Sequence, residues 1–62
     1  MIEASNLWRA AIGARVRRID NGEILIILSI DQQPDGCIRM RCLREKIYEY
    51  VVVQGNMVAF LE

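Results

Sequence analysis

The side chains in this sequence that are best suited to recognising a ligand are its arginines. Arginine supplies seven of the eight basic residues, and all eight lie between Arg9 and Lys46 although the formal net charge is zero. A guanidinium group presents a planar fork of donors that fits phosphate and carboxylate oxygens and stacks on aromatic rings. The preference for arginine therefore favours recognition of an anionic partner. The plainer alternative is that these charges keep strand edges soluble.

Two pairs of arginines have the spacing of residues that share one face of a β-strand. Arg15 and Arg17 form the first pair, and Arg39 and Arg41 alternate with apolar residues in the second. Because successive side chains of a strand point to opposite faces, each pair is expected on one side of its strand. We predict that the four arginines lie on neighbouring strands and flank an apolar stripe. Neighbouring carboxylates that neutralise them are the alternative.

Two tyrosines, Tyr48 and Tyr50, have the same spacing and are predicted to share a strand face. Exposed rings on a small barrel stack on bases or on the ring of a ligand. Packing of both rings in the core or at its rim is the alternative interpretation. The candidate binding residues are therefore Arg15, Arg17, Arg39, Arg41, Tyr48 and Tyr50.

Catalytic chemistry has few of its usual side chains here. The sequence contains no His and no Thr, so no Ser/His/Asp or Cys/His arrangement can form. The aspartates fall in turn signals, where their side chains serve the backbone. Cys37 and Cys42 lack zinc-ligand spacing. We expect no catalytic residue, no cofactor and no metal.

The cysteines and the apolar runs indicate a cytoplasmic protein. Cys37 and Cys42 are five residues apart, so on one strand they point to opposite faces and cannot bond each other. Unpaired thiols fit a reducing compartment. The longest apolar run, Ile24 to Leu28, is too short to cross a membrane, and the N-terminus lacks the features of a signal peptide.

The sequence predicts a short helix over residues 5–12, capped by Ser5 or Asn6 and ended by Gly13. From residue 14 to residue 61 the apolar period changes to two, which is typical of strands. The predicted strands are Ala14–Ile19, Glu23–Ile30, Cys37–Leu43, Ile47–Val53 and Met57–Leu61. The connection after the third strand is open, because residues 44–50 also suit a helix.

A three-residue loop in the first hairpin would place Val16 on the side of Ile24, Ile26 and Leu28. The predicted core is Val16, Ile24, Ile26, Leu28, Ile38, Met40, Val58 and Phe60. Leu25 and Ile27 would then lie on the opposite face. Trp8, Ala11 and Ile12 of the helix, or a second subunit, would cover them. Because so short a chain buries little surface, we expect a homo-oligomer.

Five short strands are too few for a sandwich, so the fold class is all-β: a five-stranded SH3-like small barrel with a short N-terminal helix, as one domain over residues 1–62. The helix and strands, with Asn21-Gly22 and Ser29-Ile30-Asp31-Gln32, also resemble the bacterial Sm-like RNA chaperones.

Three segments resemble the type II, plasmid-borne dihydrofolate reductases: residues 13–18, Pro34-Asp35-Gly36 and residues 53–62. The resemblance implies a homotetramer around one pore that holds folate and NADPH. Val53 and Gln54 match the pore segment of the family. Gly55 and Asn56 stand where the family has Ile and Tyr, and Arg18 stands at its substrate-binding Lys.

The leading functional hypothesis is a non-enzymatic binding module that self-associates and presents arginines to nucleic acid or to an acidic protein. Its size suits an accessory protein of a mobile genetic element or a phage. A reductase-like enzyme and a pure protein–protein adaptor are the alternatives.

Overall fold

The computed structural model describes residue 2 and residues 4–61, with the backbone alone for residues 4–6. A 3₁₀-helix spans Ala4–Arg9, and a second one, Gly55–Met57, precedes the last strand. The strands are β1 (Arg15–Arg18), β2 (Ile24–Gln32), β3 (Ile38–Arg44), β4 (Tyr50–Gln54) and β5 (Val58–Phe60). They form one antiparallel sheet in the order β4-β3-β2-β1-β5. The all-β class and the five predicted strands are confirmed.

The predicted helix over residues 5–12 is wrong in type and extent. The chain forms a 3₁₀-helix that ends at Arg9, and the side chains of the predicted caps, Ser5 and Asn6, lie outside the described part. Trp8 is 82% exposed, and Ala11 and Ile12 are also exposed, so these residues do not cover the sheet.

Two side chains and one backbone hydrogen bond attach the N-terminal 3₁₀-helix and the residues after it to the sheet. Leu7 and Ala10 pack against the core instead of Trp8 and Ile12. Gly13 has a φ of 89°, and its N–H donates to the carbonyl of Ile27 at 2.7 Å. Glycine adopts this conformation without a steric penalty. Gly13 therefore turns the chain from the 3₁₀-helix into β1.

The loop between β1 and β2 sets the register of the sheet. The N–H of Arg18 donates to the carbonyl of Glu23 at 2.8 Å, which leaves residues 19–22 as a four-residue loop. Gly22 closes this loop with a φ of 74°. Val16 consequently pairs with Leu25, and Arg15 pairs with Ile26. The three-residue loop inferred from the sequence is one residue too short.

This one-residue difference reverses the predicted faces of β2, since strand side chains alternate. Leu25 and Ile27 are 0% exposed in the core, whereas Ile24, Ile26 and Leu28 are half-buried elsewhere. The predictions that Ile24, Ile26 and Leu28 form the core and that Leu25 and Ile27 mediate self-association are both wrong.

The core predicted on the other strands is confirmed in large part. The buried cluster consists of Ile2, Val16, Leu25, Ile27, Ile38, Met40, Cys42, Val53 and Val58. Four of these were predicted: Val16, Ile38, Met40 and Val58. Phe60 is partly buried against the cluster and lies under the guanidinium of Arg9, 4.5 Å from the ring centroid.

The hairpin between β3 and β4 repeats the geometry of the first one. The N–H of Arg44 donates to the carbonyl of Glu49 at 2.7 Å, so residues 45–48 form another four-residue loop. Tyr48 closes it with a φ of 55°, in the position that Gly22 occupies in the first loop. Residues 44–50 are therefore not helical, and the predicted start of this strand at Ile47 is three residues early.

A β-bulge interrupts the pairing of β2 with β3. The register shifts between Ile27 and Ser29, which leaves Leu28 as the extra residue. Beyond the bulge Ile30 pairs with the buried Met40, and Ser29 pairs with Arg41. The bulge therefore keeps Ile30 on the core side and moves Ser29 to the outer side.

The carboxylate of Glu23 joins three strands at one end of the sheet. Its side chain is 11% exposed, and its Oε2 accepts from Nε of Arg44 at 2.8 Å. Its Oε1 lies 3.6 Å from a terminal nitrogen of Arg18. Because Arg18 belongs to β1 and Arg44 to β3, this ion cluster holds both neighbours of β2 in register.

Ile27→Ala is expected to cost about 2–5 kcal/mol of unfolding free energy, because it empties a site in the core. A domain of this length has about 3–9 kcal/mol in total. Ile26→Ala, on the outer side of the same strand, is expected to cost about 1 kcal/mol. Thermal and urea unfolding measure both variants. Equal losses, or a larger loss for Ile26→Ala, would contradict the observed faces of β2.

Glu23→Gln is expected to cost about 1–3 kcal/mol, because it leaves two half-buried guanidinium groups without their shared carboxylate. Glu49→Gln is the matched control: Glu49 lies 3.7 Å from the same Arg44, but its side chain is 67% exposed. Its loss should stay below about 0.5 kcal/mol. Comparable melting temperatures for the two variants would show that Glu23 has no special role.

Candidate functional site

All four arginines of the predicted binding set are exposed. Arg15 is engaged in an ion pair, because its terminal nitrogen lies 3.1 Å from Oε2 of Glu45. Within the described part of the chain, the guanidinium groups of Arg17, Arg39 and Arg41 make no hydrogen bond and no ion pair. The carboxylates predicted as an alternative therefore neutralise one member of the set.

The two arginine pairs do not lie on neighbouring strands, because β2 separates β1 from β3. Arg15 pairs with Ile26 at one end of β2, whereas Arg41 pairs with Ser29 beyond the bulge. Strand spacings place the Cα atoms of Arg15 and Arg41 roughly 14 Å apart. The pairs flank the apolar outer side of β2 as predicted, but at opposite ends of it.

The two tyrosines do not share a strand face. Tyr50 begins β4 and pairs with Leu43, whereas Tyr48 belongs to the preceding loop. Both rings are exposed, Tyr50 by 73% and Tyr48 by 77%, so packing in the core is excluded for either one. The ring of Tyr50 alone is attached to the sheet.

The outer side of β3 and β4 brings charged, aromatic and apolar groups together. In the register, Leu43 pairs with Tyr50, Arg41 with Val52, and Arg39 with Gln54. We call these six residues the β3–β4 face: Arg39, Arg41, Leu43, Tyr50, Val52 and Gln54. The set contains no acidic residue. The nearest carboxylates adjoin Arg39. Asp31 of β2 pairs with Arg39, and Asp35 lines a groove together with it.

A hollow of about 380 Å³ lies on this face, lined by Leu28, Ser29, Arg41 and Tyr50. Two of its lining residues come from the bulge, which places Leu28 and Ser29 beside β3. The hollow offers a ring for stacking, an aliphatic wall, a hydroxyl and an unpaired guanidinium group. Such a set of groups suits a planar ring that carries an anionic substituent.

Sequence reasoning gave no binding role to four residues of the face and the hollow, Leu28, Ser29, Leu43 and Val52, and it named Gln54 only through the reductase resemblance. Val52 is 57% exposed and lies two residues from Tyr50 on the same strand, so the alternation of β4 alone would have placed it on the face. Leu28 and Ser29 carry no comparable signal, because a bulge has to be known before their positions follow.

The residues of the reductase resemblance are spread over different environments. Val53 is buried in the core, and the guanidinium of Arg18 is bound by Asp20 and Glu23. Gln54 and Asn56 line a groove of about 280 Å³ beside the loop that follows β2. Gly55 admits no side chain there, because a Cβ atom would collide with the carbonyl oxygen of Ile2.

Cys37 lines the same groove. The backbone N–H of Cys37 donates to Oδ1 of Asp35 at 3.0 Å and lowers the pKa of that carboxyl. In return, the Asp35 side chain raises the pKa of the Cys37 thiol through hydrogen bonding and negative charge. Burial raises the pKa of Cys42 to about 11. Both thiols are therefore less reactive at neutral pH than an ordinary cysteine.

Iodoacetamide at pH 8 is expected to alkylate Cys37 slowly and leave Cys42 unmodified until the protein unfolds. The alkylation rate at Cys37 should continue to rise above the pH range in which an ordinary cysteine titrates, because the pKa of this thiol is raised. Asp35→Asn should accelerate it, since the amide still accepts the backbone bond but carries no charge. Asp31→Asn is the charge-matched control. Peptide mass spectrometry reports both sites, and an unchanged rate in Asp35→Asn would contradict the assigned coupling.

Within the described residues, no group of three or more His, Cys, Asp or Glu side chains is placed to hold a metal ion. No helix in that part of the chain is long and apolar enough to cross a membrane. No protein-family model, no curated protein and no solved structure matches the sequence.

Proposed function

We propose that this chain is a non-enzymatic SH3-like barrel that binds single-stranded nucleic acid on its β3–β4 face. The observation that carries the proposal is the hollow in which exposed Tyr50 and unpaired Arg41 lie side by side. Base stacking and phosphate binding are the two interactions that single-strand binding requires. One site on the surface offers both.

The arrangement of the strands supports the barrel. Strands β1 to β4 form a meander, and β5 adds beside β1 at the opposite edge from β4. Because a 3₁₀ turn of three residues joins β4 to β5, the sheet has to curve for the two edge strands to be connected, as a barrel requires. The buried cluster takes residues from every strand and Ile2 from the N-terminus. With this cluster on the inner side of the sheet, the β3–β4 face is an outer surface, as it would be in a small barrel.

The charges favour Arg41 as the main phosphate contact. Arg41 pairs with Ser29 on one side and Val52 on the other, so its strand neighbours are uncharged. Arg39 lies across from Asp31, which weakens its attraction for an anion. The two arginines are about 6.6 Å apart along the strand, so they can bind neighbouring phosphates of one chain.

The ring of Tyr50 favours a nucleic acid over an acidic protein. Stacking of one base on an aromatic side chain contributes about 1–3 kcal/mol, whereas a carboxylate gains only from the arginines. Bases are free to stack on a side chain when they are not paired in a duplex. The proposed ligand is therefore a single strand of nucleic acid. Preferential binding of an acidic polypeptide is the alternative result that the test can give.

Fluorescence anisotropy with labelled single-stranded RNA and DNA, a duplex of the same sequence and poly-glutamate, at about 50 mM salt, tests this proposal. Binding of the single strands is expected to exceed binding of the other two. Tyr50→Leu should weaken it about 5–150-fold, the equivalent of one lost stacking contact. Tyr48→Leu, on the loop, is the matched control and should change it little.

Arg41→Gln is expected to weaken binding of all sequences alike and to lower the slope of log affinity against log salt by about one. Arg39→Gln should have a smaller effect because of Asp31. Arg17→Gln, an exposed and unpaired arginine at the other end of the outer surface, is the charge-matched control. Equal effects of Arg41→Gln and Arg17→Gln would contradict the assignment to this face, as would preferential binding of poly-glutamate.

A further inference from the structure

Strand β4 is an edge of the sheet and has one side without a partner strand. The hydrogen-bonded pair of Arg44 and Glu49 fixes the alternation of the ladder. Val51 and Val53 therefore direct their backbone groups toward β3, and Tyr50, Val52 and Gln54 direct theirs away from it. Across the described residues, these outward groups have no hydrogen-bond partner apart from the carbonyl of Gln54, which as the N-cap of the second 3₁₀-helix accepts the first bond of that helix and keeps a second lone pair for another donor. This edge presents alternating donors and acceptors along five residues.

Neither the sequence nor the shape of β4 protects this edge. Natural edge strands avoid pairing through charges, proline, bulges or very short length. The sequence of β4, Tyr-Val-Val-Val-Gln, contains no charge and no proline, and its pairing with β3 is regular. The opposite edge, β5, is only three residues long. The two edges thus differ, and β4 is the edge that can pair with a further strand.

We propose that β4 pairs antiparallel with β4 of a second copy of this chain, around a twofold axis at Val52. Val52 then exchanges both backbone hydrogen bonds with Val52 of the other copy. Tyr50 of each copy pairs with Gln54 of the other, so all outward donors meet acceptors, in roughly six bonds. No other residue of the strand gives a symmetric register that uses every outward group.

The side chains fit this register as well as the backbone does. Two Val52 side chains meet at about 4.5–5.5 Å, and apolar β-branched pairs stabilise antiparallel strands. The nearest like charges are the two copies of Arg41, which are three strand spacings apart, about 14 Å. That distance exceeds the screening length of about 10 Å at ordinary ionic strength, so their repulsion is small. A second copy is therefore favoured over a peptide of arbitrary sequence.

The axis stands perpendicular to the sheet, so the outer sides of both copies point the same way. The two β3–β4 faces become one surface with the arginines of both copies. This dimer replaces the self-association that the sequence predicted through Leu25 and Ile27, which are buried. It does not depend on the proposed ligand, because the assembly is measured on the protein alone.

Analytical ultracentrifugation over micromolar to millimolar concentrations tests the dimer. The native chain is expected to show a reversible monomer–dimer equilibrium. Val52→Lys and Val52→Glu should each be monomeric, because each places two like charges face to face at the axis. A mixture of the two variants should restore the dimer as a heterodimer, because residue 52 then faces the opposite charge. Ile19→Lys, at another exposed apolar position, should dimerise like the native chain.

Circular dichroism establishes that both Val52 variants remain folded, as expected for a side chain that is 57% exposed. A native chain that stays monomeric at millimolar concentration would overturn the proposal. Failure of the two mixed variants to form a heterodimer would also overturn the proposal, because residue 52 of one copy would then not lie opposite residue 52 of the other. Rings larger than a dimer would indicate pairing of β4 with β5 and would equally contradict the twofold register.

Discussion

The register of the first hairpin is the constraint on which the rest of the structure depends. Its four-residue loop pairs Val16 with Leu25 and thereby decides which side of β2 enters the core. The ion cluster around Glu23 holds that register, since one carboxylate bridges arginines of β1 and β3. Every assignment of an outer surface follows from this choice, because a shift of one residue would exchange both faces of the central strand.

The same constraint explains why the outer surface has two distinct ends. One end carries Arg15 and Arg17, of which Arg15 is already neutralised by Glu45. At the other end the bulge at Leu28 widens the surface and places Ser29 beside Arg41. Bulges commonly occur next to functional sites because they re-aim side chains. The unpaired charge, the exposed ring and the hollow therefore coincide at one end only.

Sequence reasoning recovers the existence of the strands and the alternation of the arginines, because both follow from the period of two. Its errors arise where local geometry is not visible in the pattern of apolar residues. Asp20-Asn21-Gly22 marks a turn without revealing that Ile19 also belongs to it. Tyr48 adopts a positive φ at a position where a glycine would have indicated the loop in the sequence. Six residues of 3₁₀-helix are too few for a periodic signal, so the sequence indicates a short helix there without its type or its end at Arg9.

An NMR titration of isotope-labelled protein with a short single-stranded oligonucleotide tests where on the outer surface the ligand binds. If the ligand binds on the β3–β4 face, backbone and side-chain signals of Arg41, Tyr50, Val52 and the bulge at Leu28 should shift together with one dissociation constant. Signals of Arg15 and Arg17 should stay in place. Shifts centred on Arg15 and Arg17, or on the groove around Cys37 and Asn56, would contradict the assignment of the binding surface to the β3–β4 face.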